Sequence, residues 1–124
     1  MNTLFLISLL ITHYLGDFQF ATPNMIAAKV RGKPLMPILN HAGVHGTLMI
    51  LVLLAFGKPW QWAIALGLIE FATHFIIDLG KGLLTKNYPT LADNTKKPFW
   101  QLYGLDQLLH LLVIVGIWHI AAGL

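Results

Sequence analysis

The stretch Trp60–Leu84, WQWAIALGLIEFATHFIIDLGKGLL, decides the fold class, because it is apolar for long enough to cross a membrane as one helix. Its acidic and histidine residues, Glu70, His74 and Asp78, recur every four residues and therefore share one helix face. Three further apolar segments of similar length lie at about residues 3–20, 38–56 and 98–122. The sequence thus predicts an all-α, integral membrane four-helix bundle, with residues 1–124 forming a single transmembrane domain.

The composition of the chain supports a membrane protein. Of its 124 residues, 56% are apolar and only 10% are charged, whereas a soluble domain carries about 25% charged residues. This balance excludes a disordered chain and a conventional nucleic-acid binder. The chain has no cysteine, so a disulfide framework and a thiolate metal site are also excluded. We therefore expect the lipid bilayer as the main partner and no nucleic acid.

The basic residues predict the topology. Residues 21–37 hold three of the eight Lys and Arg and no acid, and residues 85–97 hold three more against one Asp. The positive-inside rule places both connections in the cytoplasm, so we expect a multi-pass protein of the inner membrane with both termini periplasmic. Within the first connection, Asn24–Lys33 fits either a short basic interfacial helix or a solvated loop.

The ionisable residues inside the apolar segments form pairs. Such residues are costly in a membrane and usually face a bundle interior or a wet cavity. Random placement of the ten His and Asp residues predicts about 0.8 pairs at i,i+4 spacing, yet there is one pair in each segment. These pairs are His13–Asp17, His41–His45, His74–Asp78 and Asp106–His110.

Four antiparallel passes would align these pairs into two layers. The deep layer would contain His13, His45, His74 and His110. The shallow layer, nearer the cytoplasm, would contain Asp17, His41, Asp78 and Asp106. Imidazole and carboxylate groups at helical spacing are the donors of a metal site in a helix bundle, so all eight are candidate ligands. Without thiolates, they suit one or two divalent metal ions, zinc first and then manganese, iron or nickel.

The function that this site favours is metal-assisted hydrolysis of a lipid-type or phosphorylated membrane substrate. The candidate catalytic residues are Asp17, Asp78 and Asp106, either as ligands or as a general base. Glu70 could join the network or simply face another helix. Arg31, Lys33 and Lys81 could hold an anionic headgroup. Two alternatives stay open. The metal could staple a small bundle that binds another membrane protein, or the cluster could pass protons or metal ions, in which case a chain this short would need to form a homo-oligomer.

Four ordered motifs carry a resemblance to a known family. They are His13-x-x-Gly16-Asp17-Phe18, His41-Ala42-x-x-His45-Gly46, His74-x-x-Ile77-Asp78-x-x-Lys81 and Asp106-Gln107-x-x-His110-Leu111. Together they resemble the bacterial and phage membrane family called domain of unknown function 3307, over nearly the whole chain. The family name implies no activity. More distantly, these helices are similar to inner-membrane proteins described as metal-dependent hydrolases, which implies metal-dependent hydrolysis by analogy only.

Overall fold

The computed structural model describes residues 2–124, and these residues form five α-helices. Met1, the first residue of the predicted domain, lies outside the described part. The helices are α1 (Thr3–Tyr14), α2 (Pro23–Arg31), α3 (Leu35–Ala55), α4 (Trp60–Asn87) and α5 (Lys97–Ala122). A π-helical turn, Leu15–Gln19, continues α1, and a short 3-10 helix, Pro89–Ala92, precedes α5. No strand occurs among these residues, which confirms the all-α prediction.

Local sequence signals start and end the helices. The Asn2 side chain accepts a hydrogen bond from the Phe5 N–H at 3.3 Å and so caps α1. Thr22 caps α2 in the same way by accepting from the Met25 N–H at 3.2 Å, and Pro23 occupies the first turn. Gly32 ends α2 at a φ of 70°, a backbone conformation that glycine adopts without strain. The Asn24–Lys33 segment is therefore mainly helical rather than a plain loop.

The first predicted segment differs most from expectation. In place of one helix over residues 3–20, the regular α-helix ends at Tyr14 and widens into the π turn, where the Phe20 N–H donates to the Leu15 carbonyl at 2.8 Å. The axis then turns by 91° between Thr3–Gln19 and Pro23–Arg31. The extra residue per turn and the Thr22-Pro23 break account for this change of direction.

Three helices, α3, α4 and α5, are long and apolar enough to cross a membrane. They begin within three residues of the predicted starts, and α4 extends to Asn87, beyond the predicted end at residue 84. The segment before them passes the same test only if the bent pair Thr3–Gln19 and Pro23–Arg31 is one span. The structure therefore offers three candidate spans, or four if the bent pair crosses as one broken span.

The helices pack most extensively where α3 meets α4. Glycines permit this approach, because a Cβ at Gly46 would lie 3.0 Å from the Gly67 carbonyl oxygen. Toward the chain termini and the α3–α4 connection, the helices share an apolar core. It comprises Phe5, Leu9, Met49, Leu53, Ala63, Leu66, Ile114, Ile117 and Ala121. This core closes one end of the bundle beneath the polar residues described next.

The second long connection is held by its own side chains. The Asp93 carboxylate accepts hydrogen bonds from the Thr95 hydroxyl at 2.6 Å and from the Thr95 N–H at 3.0 Å. These bonds hold the pKa of the Asp93 carboxyl below its usual value. The Trp100 indole donates to the Asn94 carbonyl at 2.8 Å. Asp93 therefore shapes a turn and takes no part in the buried cluster.

Candidate metal centre

The four predicted pairs meet in one buried cluster. Each of the eight side chains belongs to a residue that is at most 8% exposed. Asp17 lies on the π turn after α1, and the other pairs lie on α3, α4 and α5. The i,i+4 spacing directs both members of each pair to the same side of their helix. The members are His13, Asp17, His41, His45, His74, Asp78, Asp106 and His110.

One set within the cluster has the spacing of a metal site. We call Asp17, His41, His45 and His74 the four-donor group; one donor atom from each lies within 4.8 Å of all the others. The Asp17 Oδ1 atom is 3.1, 2.9 and 3.4 Å from the Nε2 atoms of His41, His45 and His74. A tetrahedral Zn²⁺ site with bonds of about 2.0–2.1 Å separates its donors by roughly 3.3 Å. The group could therefore hold a divalent metal ion.

A second set shares a member with the first. The three-donor group is His74, Asp78 and His110. The Asp78 carboxylate lies 3.2 Å from the His74 Nε2 and, through its other oxygen, 3.2 Å from the His110 Nε2. Because one His74 Nε2 lone pair binds one ion, the two groups cannot both be complete at once. A second ion would have Asp78 and His110 as its remaining ligands, with Asp106 beside them, 3.3 Å from His110.

Glu70 orients the shared histidine. Its Oε1 atom lies 3.4 Å from the His74 Nδ1, one turn away on α4. A carboxylate only accepts hydrogen bonds, so His74 donates from Nδ1 to Glu70, and a bound metal would take the Nε2 lone pair. Metal-ligating histidines commonly have this carboxylate partner, which fixes the tautomer and the ring orientation. Glu70 therefore fits the role of a residue that prepares His74 for a metal.

His13 and Asp106 lie beside the two groups rather than in them. The His13 Nε2 faces two acceptors, Gln107 Oε1 at 3.1 Å and Asp17 Oδ2 at 3.4 Å, and therefore donates to them. Gln107 in turn donates from Nε2 to Asp17 Oδ2 at 3.1 Å and to Asp106 Oδ2 at 3.3 Å. These bonds hold the Oδ2 atom of Asp17, whereas the histidines of the four-donor group face its Oδ1 atom. Gln107 received no role from the sequence, although it is adjacent to Asp106.

Two lysines also reach the cluster. The Lys29 Nζ lies 3.2 Å from His41 Nε2, 3.8 Å from Asp17 and 3.7 Å from Asp78, all three in the predicted shallow layer. The Lys81 Nζ lies 3.4 Å from Asp106, the fourth member of that layer. From the sequence, Lys81 was a candidate residue for binding an anionic headgroup, whereas Lys29 contributed only to the predicted topology. The contact of Lys29 with the cluster could not be predicted from residue spacing, because it depends on the 91° turn that places α2 against the other helices.

Arg31 and Lys33, the other candidate headgroup residues, are exposed at the end of α2 and beyond it. They make no ion pair with the acidic residues of the cluster.

The charges of the cluster call for a cation. Four carboxylates, from Asp17, Glu70, Asp78 and Asp106, face two ammonium groups, a formal balance of −2 when the histidines are neutral. Buried charge must be compensated, because it has lost its hydration. Two carboxylate oxygens, Asp78 Oδ2 and Asp106 Oδ1, are buried without a hydrogen-bond partner. One divalent ion or two protons on histidines would restore neutrality.

One side of the cluster borders a cavity. Below the cluster lies the apolar core, whereas above it lies a cavity of about 300 Å³ between the π turn, α2, α4 and α5, here called the side cavity. Asp17, Lys29, Lys81, Asp106 and Gln107 border it, and apolar side chains form most of its remaining wall. Both long connections contribute to this wall, so they lie at the same end of the molecule, as the sequence predicts.

Fold and site together define a class: helical proteins with helices of membrane-spanning length around a buried His/Asp cluster suited to a metal ion. Residues 5–124 match the family described as Protein of unknown function (DUF3307), and the chain belongs to this family. No curated protein and no solved structure shows significant similarity to the chain. The family match supports the resemblance drawn from the four motifs and gives no support to the more distant one with membrane hydrolases.

Proposed function

We propose that this chain is an inner-membrane, four-pass metalloprotein that hydrolyses a lipid-type or phosphorylated membrane substrate. The observation that carries the proposal is the position of Asp17. This residue is the one member of the four-donor group that also borders the side cavity. A substrate in the cavity would therefore meet the metal centre at its carboxylate ligand, while three buried histidines outside the cavity wall hold the ion.

The donor set favours one zinc ion at the four-donor group. Three imidazoles and a carboxylate without thiolate fit zinc, and a three-histidine base is a known arrangement of catalytic zinc. A bound divalent ion supplies Lewis acidity, which acidifies water and stabilises negative charge that develops on an ester oxygen. A second ion at Asp78 and His110 would complete a two-ion version of the same centre.

The roles of the three candidate catalytic carboxylates differ. Asp17 contacts all three histidines of the four-donor group and is the ligand. Asp78 has a free oxygen 3.2 Å from His74, which suits it to accept a proton from water. Asp106 pairs with Lys81 and adjoins the cavity, which suits it to position that lysine. Water would supply the attacking oxygen, and the leaving alcohol would take up a proton.

A metal staple is the second candidate, favoured by the completeness of the four-donor group. Four protein donors fill the coordination sites of a tetrahedral ion, as in structural zinc sites, whereas catalytic sites keep a position open.

A transport pathway has less support, because the buried side chains on the far side of the cluster are apolar. They include Phe5, Leu9, Met49 and Leu53.

Elemental analysis of the detergent-purified chain tests the metal centre. We expect one equivalent of zinc or another divalent metal, or two for the two-ion version. Protein purified at neutral pH without chelator that holds no metal would refute the proposal. An assay of phosphate and carboxylic ester lipids then separates the enzyme from the staple. Metal-dependent turnover supports the enzyme, whereas metal-dependent thermal stability without turnover supports the staple.

A further inference from the structure

The side cavity combines a charged inner end with an apolar wall. Lys29, Lys81 and Gln107 stand at the inner end, beside Asp17 and Asp106. The rest of the lining is Thr85 together with the apolar side chains of Phe18, Ile26, Val30, Leu91, Ala92, Phe99 and Tyr103. From this arrangement we infer that the cavity binds the phosphate monoester head of a membrane lipid. The inference rests on the proposed function for the fate of that lipid, although binding can be measured without turnover.

The two ammonium groups can turn toward an anion. Lys81 has one carboxylate contact, at 3.4 Å, and its Nζ lies 5.0 Å from the centre of the Tyr103 ring. Lys29 makes its shortest contact, 3.2 Å, with the His41 Nε2. A metal bound to the His41 Nε2 would occupy the lone pair that Lys29 faces. The Lys29 ammonium could then no longer donate to His41, and its N–H donors would be available to a ligand in the cavity. Each ammonium has three N–H donors, so both lysines retain capacity for phosphate oxygens.

The donors of the inner end favour one kind of phosphate. A single divalent ion neutralises the formal −2 of the cluster, lysines included, so the preference does not come from net charge. The terminal phosphate of a monoester offers three acceptor oxygens, whereas a diester has only two non-bridging ones. Lys29 and Lys81 both border the cavity and each has three N–H donors. The cavity therefore favours a terminal phosphate over a bridging one.

The apolar wall indicates that the phosphate belongs to a lipid. Phe18, Ile26 and Val30 line the cavity and are 53, 52 and 49% exposed, so its mouth is bordered by large apolar side chains. In a membrane-embedded bundle, such a mouth faces acyl chains rather than water. A volume of about 300 Å³ is at the lower end for ligand sites. It suits a headgroup and the adjoining carbons, while the tails stay in the bilayer.

Lipid binding to the full, zinc-loaded chain in detergent tests this inference. The probe is dioleoyl phosphatidic acid, a phosphate monoester lipid, and native mass spectrometry counts the bound molecules. We expect one saturable site, with weaker binding of dioleoyl phosphatidylglycerol, a diester. Lys81→Gln should weaken binding about tenfold or more, since it removes a charged hydrogen-bond donor. Lys86→Gln is the matched control, because Lys86 is exposed on the same helix and outside the cavity wall.

A second variant keeps the inference testable if Lys81→Gln misfolds, because Lys81→Gln removes the ion-pair partner of the buried Asp106. Ala92→Trp fills the cavity from an exposed wall position and changes no charge, so it should abolish the site while zinc content stays unchanged.

The inference would be overturned if Lys81→Gln and Lys86→Gln bound phosphatidic acid equally well. It would also be overturned if diacylglycerol or inorganic phosphate competed for the site as well as phosphatidic acid does. A chain that holds zinc but binds no phosphatidic acid would refute this inference and leave the metal centre in place. A chain that binds phosphatidic acid but holds no zinc would refute the metal centre and leave the lipid site in place.

Discussion

Replacing Gly16 with alanine tests whether the ring of His45 must stay where the structure has it. Gly16 lies in the π turn, and a Cβ built there would be 2.5 Å from Cε1 and 2.6 Å from Nε2 of His45. An ordinary contact begins at about 3.4 Å, so the ring would have to move by roughly 0.9 Å. The ring cannot retreat freely, because it stacks on His74 with the centroids 3.6 Å apart.

This displacement is large on the scale of metal coordination. Metal–ligand distances hold to about ±0.2 Å, so a shift of roughly 0.9 Å removes His45 from the four-donor group. Loss of an outer partner of a ligand already costs about 10–100-fold in metal affinity, and we expect Gly16→Ala to exceed that. Overpacking should also destabilise the fold by about 1–3 kcal/mol.

The assay is zinc content and chelator-competition affinity of the purified variant, followed by unfolding in detergent with and without zinc. Gly80→Ala is the matched control, because a Cβ at Gly80 has no atom within 4 Å. It should bind zinc like the native chain and gain up to about 1 kcal/mol from the better helix propensity of alanine. Native zinc affinity in Gly16→Ala would show that His45 is not a ligand.

Further predictions concern single side chains of the cluster and the topology. His110→Ala should leave the ion of the four-donor group in place and remove any second ion; loss of all metal in this variant would move the main site to the three-donor group. Asp78→Asn should retain zinc and abolish turnover. Glu70→Ala should lower zinc affinity about 10–100-fold, measured by competition, because His74 loses the partner that fixes its tautomer; unchanged affinity would contradict that role. Single cysteines at Lys33 and Asn94, both exposed, should be labelled from the cytoplasmic side only, and labelling from opposite sides would break the topology.

The sequence predicted most of what depends on a single helix. The i,i+4 spacing placed each His/Asp pair on one face, and all four faces point into the cluster. The lengths of the apolar segments located α3, α4 and α5 to within a few residues, because hydrophobicity over a long window is a strong signal. The one-turn spacing of Glu70 and His74 also brought that pair into contact.

What the sequence missed depends on contacts between distant segments. Lys29 is 12 residues from His41, and only the 91° turn before α2 brings its ammonium to that ring. The turn is held by close contact of α2 with α4, where a Cβ at Gly82 would lie 2.6 Å from the Lys29 carbonyl oxygen. Gln107 reaches Asp17 across 90 residues of chain. Periodicity within one helix carries no information on either contact.

The order of the ligands along the chain has a consequence for assembly. Synthesis proceeds from the N-terminus, and all four residues of the four-donor group precede Asn87, the last residue of α4. The ribosome has therefore made a complete set of ligands before it makes α5. If the proposed metal centre forms, an ion could enter before α5 is in place and would neutralise the carboxylates of the π turn and α4. The last helix would then cover the loaded centre and add His110, Asp106 and Gln107 around it.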